Sequence, residues 1–388
     1  MPQTSVAVIL AAKTVRTFYY GFLGILLPIY LSELGVSAAG VGIALTCTLV
    51  GSAVLTWAVR RPAERWGTRG ALIGLGALSA VAAILLLSSN HPIAVVVAAM
   101  LGNIAVGTGE TGPFLSLEQV VLARSIGAER RTFVLSVYNL VGYAAGALGA
   151  GAVSTLSTRA LFVSFLLGAV LQLVCYLRLV DRPGPARSVD AVGLSSAPFI
   201  RRLAAVFALD SFAGGFVLQA LIALYFHRQY GLDLDDLGRV FFGAQLVTAA
   251  SLLLAAPLAR RFGLLRTMVI THLVSNVMLI AMAAAPTATL AVVLLYLRQL
   301  LSQIDVPTRQ AYVMAVVADH EREAAAVTTT LARTVAQAIT PAATGWVMQT
   351  VALGAPFVLG GGLKIVYDVL LYLMLRNVKL PSERAGDS

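Results

Sequence analysis

Long apolar runs separated by short polar punctuation dominate the chain. Stretches of about twenty hydrophobic residues, enough for a helix to cross the roughly 30 Å core of a bilayer, occupy residues 11–33, 38–59, 70–89, 93–115, 132–153 and 160–180. Six more follow at 203–226, 238–259, 266–285, 289–308, 324–349 and 355–376. The runs are unbroken rather than alternating, which excludes the strands of a transmembrane barrel. The pattern predicts an all-α membrane protein with twelve transmembrane helices.

Composition agrees. Of 388 residues, 59% are hydrophobic and only 12% are charged, with a mean hydropathy of +0.86. Soluble chains are about a quarter charged, so this one has too few charges to cover a soluble fold. The net charge of +10 comes from basic residues in short clusters between the apolar runs. They lack the aromatic interleaving of a nucleic-acid surface, so nucleic acid is not an expected partner. One set of alternate loops holds twenty-one basic residues, while the opposite set offers only Arg159, Arg228 and Arg239. The positive-inside rule then predicts cytoplasmic termini and a location in the cytoplasmic (inner) membrane of a bacterium. Lys13 and Arg16 interrupt the first run, and no small-residue cleavage site precedes Ser32. That run is read as a retained span rather than a secretory signal. Cys47 and Cys175 lie alone inside apolar runs, so neither a disulfide nor a metal is expected, and no cofactor.

The longest polar stretch, Asp181 to Ser196, divides the twelve runs into two sets of six. The expected organisation is a six-helix bundle over 1–180, a cytoplasmic linker over 181–201, a second bundle over 202–378 and a tail over 379–388. An internal repeat supports the division. Arg16, Phe18, Gly21 and Phe22 parallel Asp210, Phe212, Gly215 and Phe216 at an offset of 194. Gly35 and Gly42 parallel Gly231 and Gly238 at 196, and Ala63 to Gly67 parallels Ala259 to Gly263 at the same offset.

The segment Arg60 to Arg69 has Glu64, Arg65, Gly67 and Arg69 in the places of the signature G-x-x-x-D-R-x-G-R between spans two and three of the major facilitator superfamily. Arg60 replaces the first glycine and Thr68 an arginine. The second-half copy keeps Arg261 and Gly263 but has Arg260 where an acid is usual. Leu27 to Leu31 and Leu34 to Ser37 also resemble the family's first outer loop. Over nearly its whole length the chain is similar to that superfamily. The resemblance implies two pseudo-symmetric bundles, alternating access and a monomer in the lipid bilayer. It also implies a cytoplasmic gating motif at Glu64, Arg65, Gly67, Arg69, Arg261 and Gly263, in which a tight glycine turn holds charged groups at the seam. The family's span-four arginine, associated with proton coupling, is Asn103 here, while the pseudo-equivalent place in span ten is Arg298. Gly142, Gly146, Gly149 and Gly151 match the glycines of the antiporter signature without its proline. Small residues at that spacing are read first as close helix packing.

Ionisable side chains at membrane depth cost about 2.5–3.5 kcal/mol each on insertion scales and are functional candidates by default. They are Arg16, Glu110, Asp210, Arg298, Asp305, Arg333, Lys364 and Asp368, four of each sign. Arg16 and Asp210 occupy matching positions and are the expected pair. Arg298 and Asp305, two turns apart, are candidates for an anionic solute or a carboxylate, with an Asp305–Arg309 bond as the plain alternative. Glu110 lies in a glycine-rich segment, and Arg333 is mid-span. Asn139, Gln245 and Asn276 are candidate polar contacts. Lys364 and Asp368 are read as a self-neutralised pair, and His272 as a structural histidine.

No ATP-binding loop is present, so the expected function is secondary transport of a small solute. Export of a small organic compound, with protons as candidate coupling ion, is preferred on the family resemblance. An uptake symporter or uniporter is the alternative. Gly107 to Glu110 and Tyr367–Asp368 are faintly similar to the paired acids of intramembrane aspartyl proteases, but in reversed order. An enzyme or a non-transporting sensor is therefore the remote alternative.

Overall fold

A computed structural model describes residues 2–107, 112–126, 128–180, 197–304 and 322–376. Among the described residues every regular element is an α-helix. In chain order they are α1 (Pro2–Glu33), α2 (Ala38–Ala58), α3 (Arg60–Ser88), α4 (Pro92–Leu101), α5 (Pro113–Ser125), α6 (Ala128–Ala152) and α7 (Thr158–Leu177). Then come α8 (Ala197–Gly215), α9 (Gln219–Tyr230), α10 (Leu234–Phe262), α11 (Leu264–Ala283), α12 (Ala288–Ser302), α13 (Arg322–Thr350) and α14 (Ala355–Leu375).

Nine described stretches are long and apolar enough to cross a membrane. Predicted spans four, ten and eleven correspond instead to the shorter α4 and α5, to α12, and to α13. Span four differs most from expectation. The backbone leaves the helix at Gly102, Asn103 adopts φ 48°, and Pro113 restarts a helix in a segment read from the sequence partly as a loop. Pro113 is at home at a helix start, where no N–H is needed. Span seven is broken too, between Gly215 and Gln219.

Side-chain caps begin several helices. Ser37 Oγ accepts from the Gly40 N–H at 3.2 Å at the start of α2, and Thr287 Oγ1 accepts from the Leu290 N–H at 3.3 Å at the start of α12. Removing the Ser37 cap with alanine is expected to cost about 1 kcal/mol. Thermal unfolding in detergent should show this loss, and Ser37→Asp should largely restore stability.

The sequence repeat recurs in the backbone. Gly35 and Gly231 have φ 83° and 69°, and Gly67 and Gly263 have φ 77° and 83°. Each pair lies 196 residues apart, at a turn where a Cβ would be strained. Exposed Trp66 and Phe262 precede the second pair. Exposed Val54, Leu148, Leu167, Leu253, Ile270 and Ile339 line the helices' outer faces, an apolar surface that suits lipid rather than water.

The described contacts form two compact units. The first comprises Met1–Ala186 and Leu218–Leu246. In it α1 packs on α6 and α7, α3 on α7 and α4, α2 on α4, and α9 on α1. Its core includes Ile9, Leu72, Phe114, Leu122, Tyr138 and Tyr176. α9 is tied down by hydrogen bonds: Arg228 Nη2 donates to Ser32 Oγ (2.9 Å) and to the Val36 carbonyl (3.2 Å), and the Ala220 N–H to the Val106 carbonyl (3.2 Å). The second unit comprises Arg187–Val217 and Val247–Ser388. There α8 packs on α13 and α14, and α11 on α12 and α14, around Leu203, Phe207, Met268, Tyr367 and Leu371.

Candidate functional site

Among the described residues each unit encloses a cluster of buried charged and polar side chains. In the first, Arg16 on α1 is fully buried and grips Glu118 on α5 with both arms: Nη1 donates to Oε1 at 2.7 Å and Nη2 to Oε2 at 2.6 Å. Tyr138 on α6 and Tyr176 on α7 each donate to a Glu118 oxygen at 2.6 Å. The carboxylate thus accepts four bonds, its full capacity. Gln172 donates to Tyr176 at 2.9 Å and accepts from Tyr19. The Arg16 guanidinium lies over the Phe114 ring, 4.8 Å from its centroid, and buried Lys13 lies over Tyr138 at 4.4 Å. A charged pair in an apolar bundle is tolerable only with such complete bonding.

Glycines make this geometry possible. A Cβ on Gly142 would lie 2.6 Å from Lys13 Cε, one on Gly21 would lie 2.2 Å from the Gly146 carbonyl oxygen, and one on Gly149 would lie 1.8 Å from that of Phe18. The span-five glycines therefore bring α6 against α1, in line with the packing reading.

In the second unit Asp210 on α8 accepts from Lys364 Nζ on α14 at 2.6 Å. His272 on α11 lies between two carboxylates. Its Nδ1 is 2.7 Å from Asp368 Oδ1, and its Nε2 is 3.7 Å from Asp210 Oδ1. Asn276 donates to Asp368 Oδ2 at 3.0 Å, and the Tyr367 ring meets the imidazole edge-on at 5.6 Å. All four ionisable groups are buried. On α12, Arg298 is also buried, and its Nη1 donates to Gln299 Oε1 at 3.0 Å.

Arg16 and Asp210, the expected pair, each find an opposite charge inside their own unit. Lys364 and Asp368 are not self-neutralised, since lysine N-terminal to an acid at i,i+4 is the poorer orientation and each has a closer tertiary partner. His272 is not solitary but the hub of its cluster. Arg333 is half-buried and donates from Nε to Ser211 Oγ at 2.8 Å, whereas Asn139 is exposed on α6. Glu110 and Asp305 lie outside the described residues, as does the side chain of Glu64. Of the gating motif, Gly67 and Gly263 make their turns, and Arg65 is exposed. Arg69 Nη2 donates to the Leu177 carbonyl at 2.6 Å, and the exposed Arg261 packs over the Phe262 ring at 5.4 Å. Glu118 was missed, because it follows Pro113 beyond the expected end of span four. The signal that could have found it was the need of Arg16 for a buried carboxylate.

Comparison with known proteins agrees with this architecture. The family model described as Major Facilitator Superfamily matches residues 9–301 and 203–388. The uncharacterized membrane protein YJR124C of Saccharomyces cerevisiae is 22% identical over 95% of this chain and 93% of its own length. Among solved structures, the nucleoside transporter NupG superposes with a TM-score of 0.74 at 14% identity, covering 96% of this chain and 99% of its own. The D-xylose-proton symporter does so at 0.75 and 13% identity, covering 97% and 99%. At such identities these likenesses show the fold. With the family match running through both halves, the chain belongs to the major facilitator superfamily and is a multi-pass membrane transporter of small solutes, not an enzyme.

Proposed function

We propose that the chain is a proton-linked exporter of a small organic solute, working by alternating access as a monomer in the cytoplasmic (inner) membrane of a bacterium with both termini in the cytoplasm. The direction rests on the family resemblance, with inward proton flow driving the solute out. The proton linkage rests on one observation, the bridging position of His272. A neutral imidazole carries a proton on one nitrogen only, so one of its two carboxylate neighbours would face a lone pair. An imidazolium attracts both. Gain and loss of that proton therefore change the pull on α8, which carries Asp210, and on α14, which carries Asp368. Lys364 and the nearby Arg298 are the other charged groups of the packed helices α14 and α12. The D-xylose-proton symporter of the same fold is a precedent for coupling to protons.

The test uses inside-out vesicles with an acid lumen. One pH unit is worth about 1.4 kcal/mol per proton, so one-for-one exchange accumulates solute about tenfold. The wild type should accumulate its solute in this way, whereas His272→Gln should lose accumulation but keep solute–solute exchange. Full coupling in His272→Gln would refute the proton role, and accumulation only in right-side-out vesicles would reverse the direction to uptake.

A further inference from the structure

Two buried cations of the clusters are paired with carboxylates: Arg16 with Glu118, and Lys364 with Asp210. Arg298 has none. It is 7% exposed, its Nε has no hydrogen-bond partner, and its one side-chain bond runs from Nη1 to Gln299. Asp210 is the acid whose charge reaches it, but Asp210 is beyond ion-pair distance and bonded to Lys364. Gln299, 2% exposed, also takes a bond from Ser302 Oγ at 3.3 Å, so the acceptor side of the amide is occupied twice. What remains open is the Nε–Nη2 edge of a guanidinium, two parallel N–H donors spaced to match the two oxygens of a carboxylate. A permanently charged group left this way in an apolar bundle is costly unless something from outside completes it. The matching position of the other half, Asn103, likewise holds a buried atom without a partner, Oδ1.

We infer that Arg298 is the anchor for an anionic solute, an organic carboxylate gripped side-on through Nε and Nη2. This rests on the transporter reading above and names its substrate class. It also gives the direction a physical basis, because an inside-negative membrane potential drives an anion outward.

The experiment measures binding to the purified full-length protein by thermal shift, at constant ionic strength. The probes are acetate, pyruvate, benzoate and salicylate, each against its neutral amide, with inorganic phosphate as a further arm. At least one carboxylate should raise the unfolding temperature in a saturable way while its amide does not. Arg298→Gln should weaken that carboxylate by about tenfold or more, the loss expected for a charge-assisted bidentate contact. Gln299→Glu is the second variant, since it puts a carboxylate in place of the amide oxygen on Nη1 and neutralises the guanidinium charge from within. It should keep the protein folded and weaken the carboxylate response by about tenfold or more. Equal responses in wild type and both variants, amides as effective as acids, or no carboxylate response at all would each overturn the inference, and phosphate binding as well as any carboxylate would overturn the organic part of it. Liposome flux separates the two readings. A carboxylate that binds at Arg298 but never crosses sinks the carrier and keeps the anion site, whereas proton-linked flux of a neutral solute, indifferent to Arg298→Gln, does the reverse.

Discussion

Arg16→Ala should leave too little folded protein for any transport assay. The change strips Glu118 of two charge-assisted bonds at 2.6 and 2.7 Å while the carboxylate stays fully buried between Tyr138 and Tyr176. Removing one partner of a buried ion pair costs about 3–5 kcal/mol, a large share of the 5–15 kcal/mol that a typical fold possesses. Arg16→Lys should lose less, because it keeps the charge but not the two-pronged geometry. The double change Arg16→Met with Glu118→Leu should recover much of the lost stability, since no charge is then stranded. Unfolding temperature and monodispersity in detergent are the readouts. An Arg16→Ala protein as stable as the wild type would mean that the pair is not held as described.

The second large effect belongs to Gly149, where no charge is involved. A Cβ there would sit 1.8 Å from the Phe18 carbonyl oxygen and 2.8 Å from its carbon. The obstacle is helix backbone and cannot swing aside as a side chain would, so α6 must move away from α1. Overpacking typically costs about 1–3 kcal/mol, and Gly149→Val should fall at or beyond the upper end. Separating these helices also pulls Tyr138, carried on α6, away from Glu118. Gly74 is the control, because nothing lies within 4 Å of a Cβ there. Gly74→Ala should be neutral or should stabilise by up to about 1 kcal/mol through helix propensity. Similar unfolding temperatures for the two variants would contradict the close approach of α1 and α6.

The buried clusters also show which kind of signal a sequence carries. Depth was readable: Arg16, Asp210, Arg298, Lys364 and Asp368 were placed within apolar runs, and all are buried. Partnership was not. Arg16 and Asp210 matched in depth and opposed in charge, yet the structure satisfies each within its own unit. Helical spacing placed Lys364 and Asp368 together, yet their closest partners come from α8 and α11. Position along a helix follows from counting residues, but the direction a side chain faces across a bundle depends on which helix is packed there.

What the sequence determined by itself is everything that depends on local composition and period. It set the apolar runs and the four glycine turns at Gly35, Gly67, Gly231 and Gly263, because apolar length and left-handed backbone are written residue by residue. The tertiary structure alone decided that span four breaks and restarts at Pro113, carrying Glu118 under Arg16. It alone decided that His272 bridges two acids and that Arg298 is left with an open edge. Those outcomes depend on neighbours distant in sequence, since a buried charge is satisfied by whatever group the packed helices bring within about 3 Å.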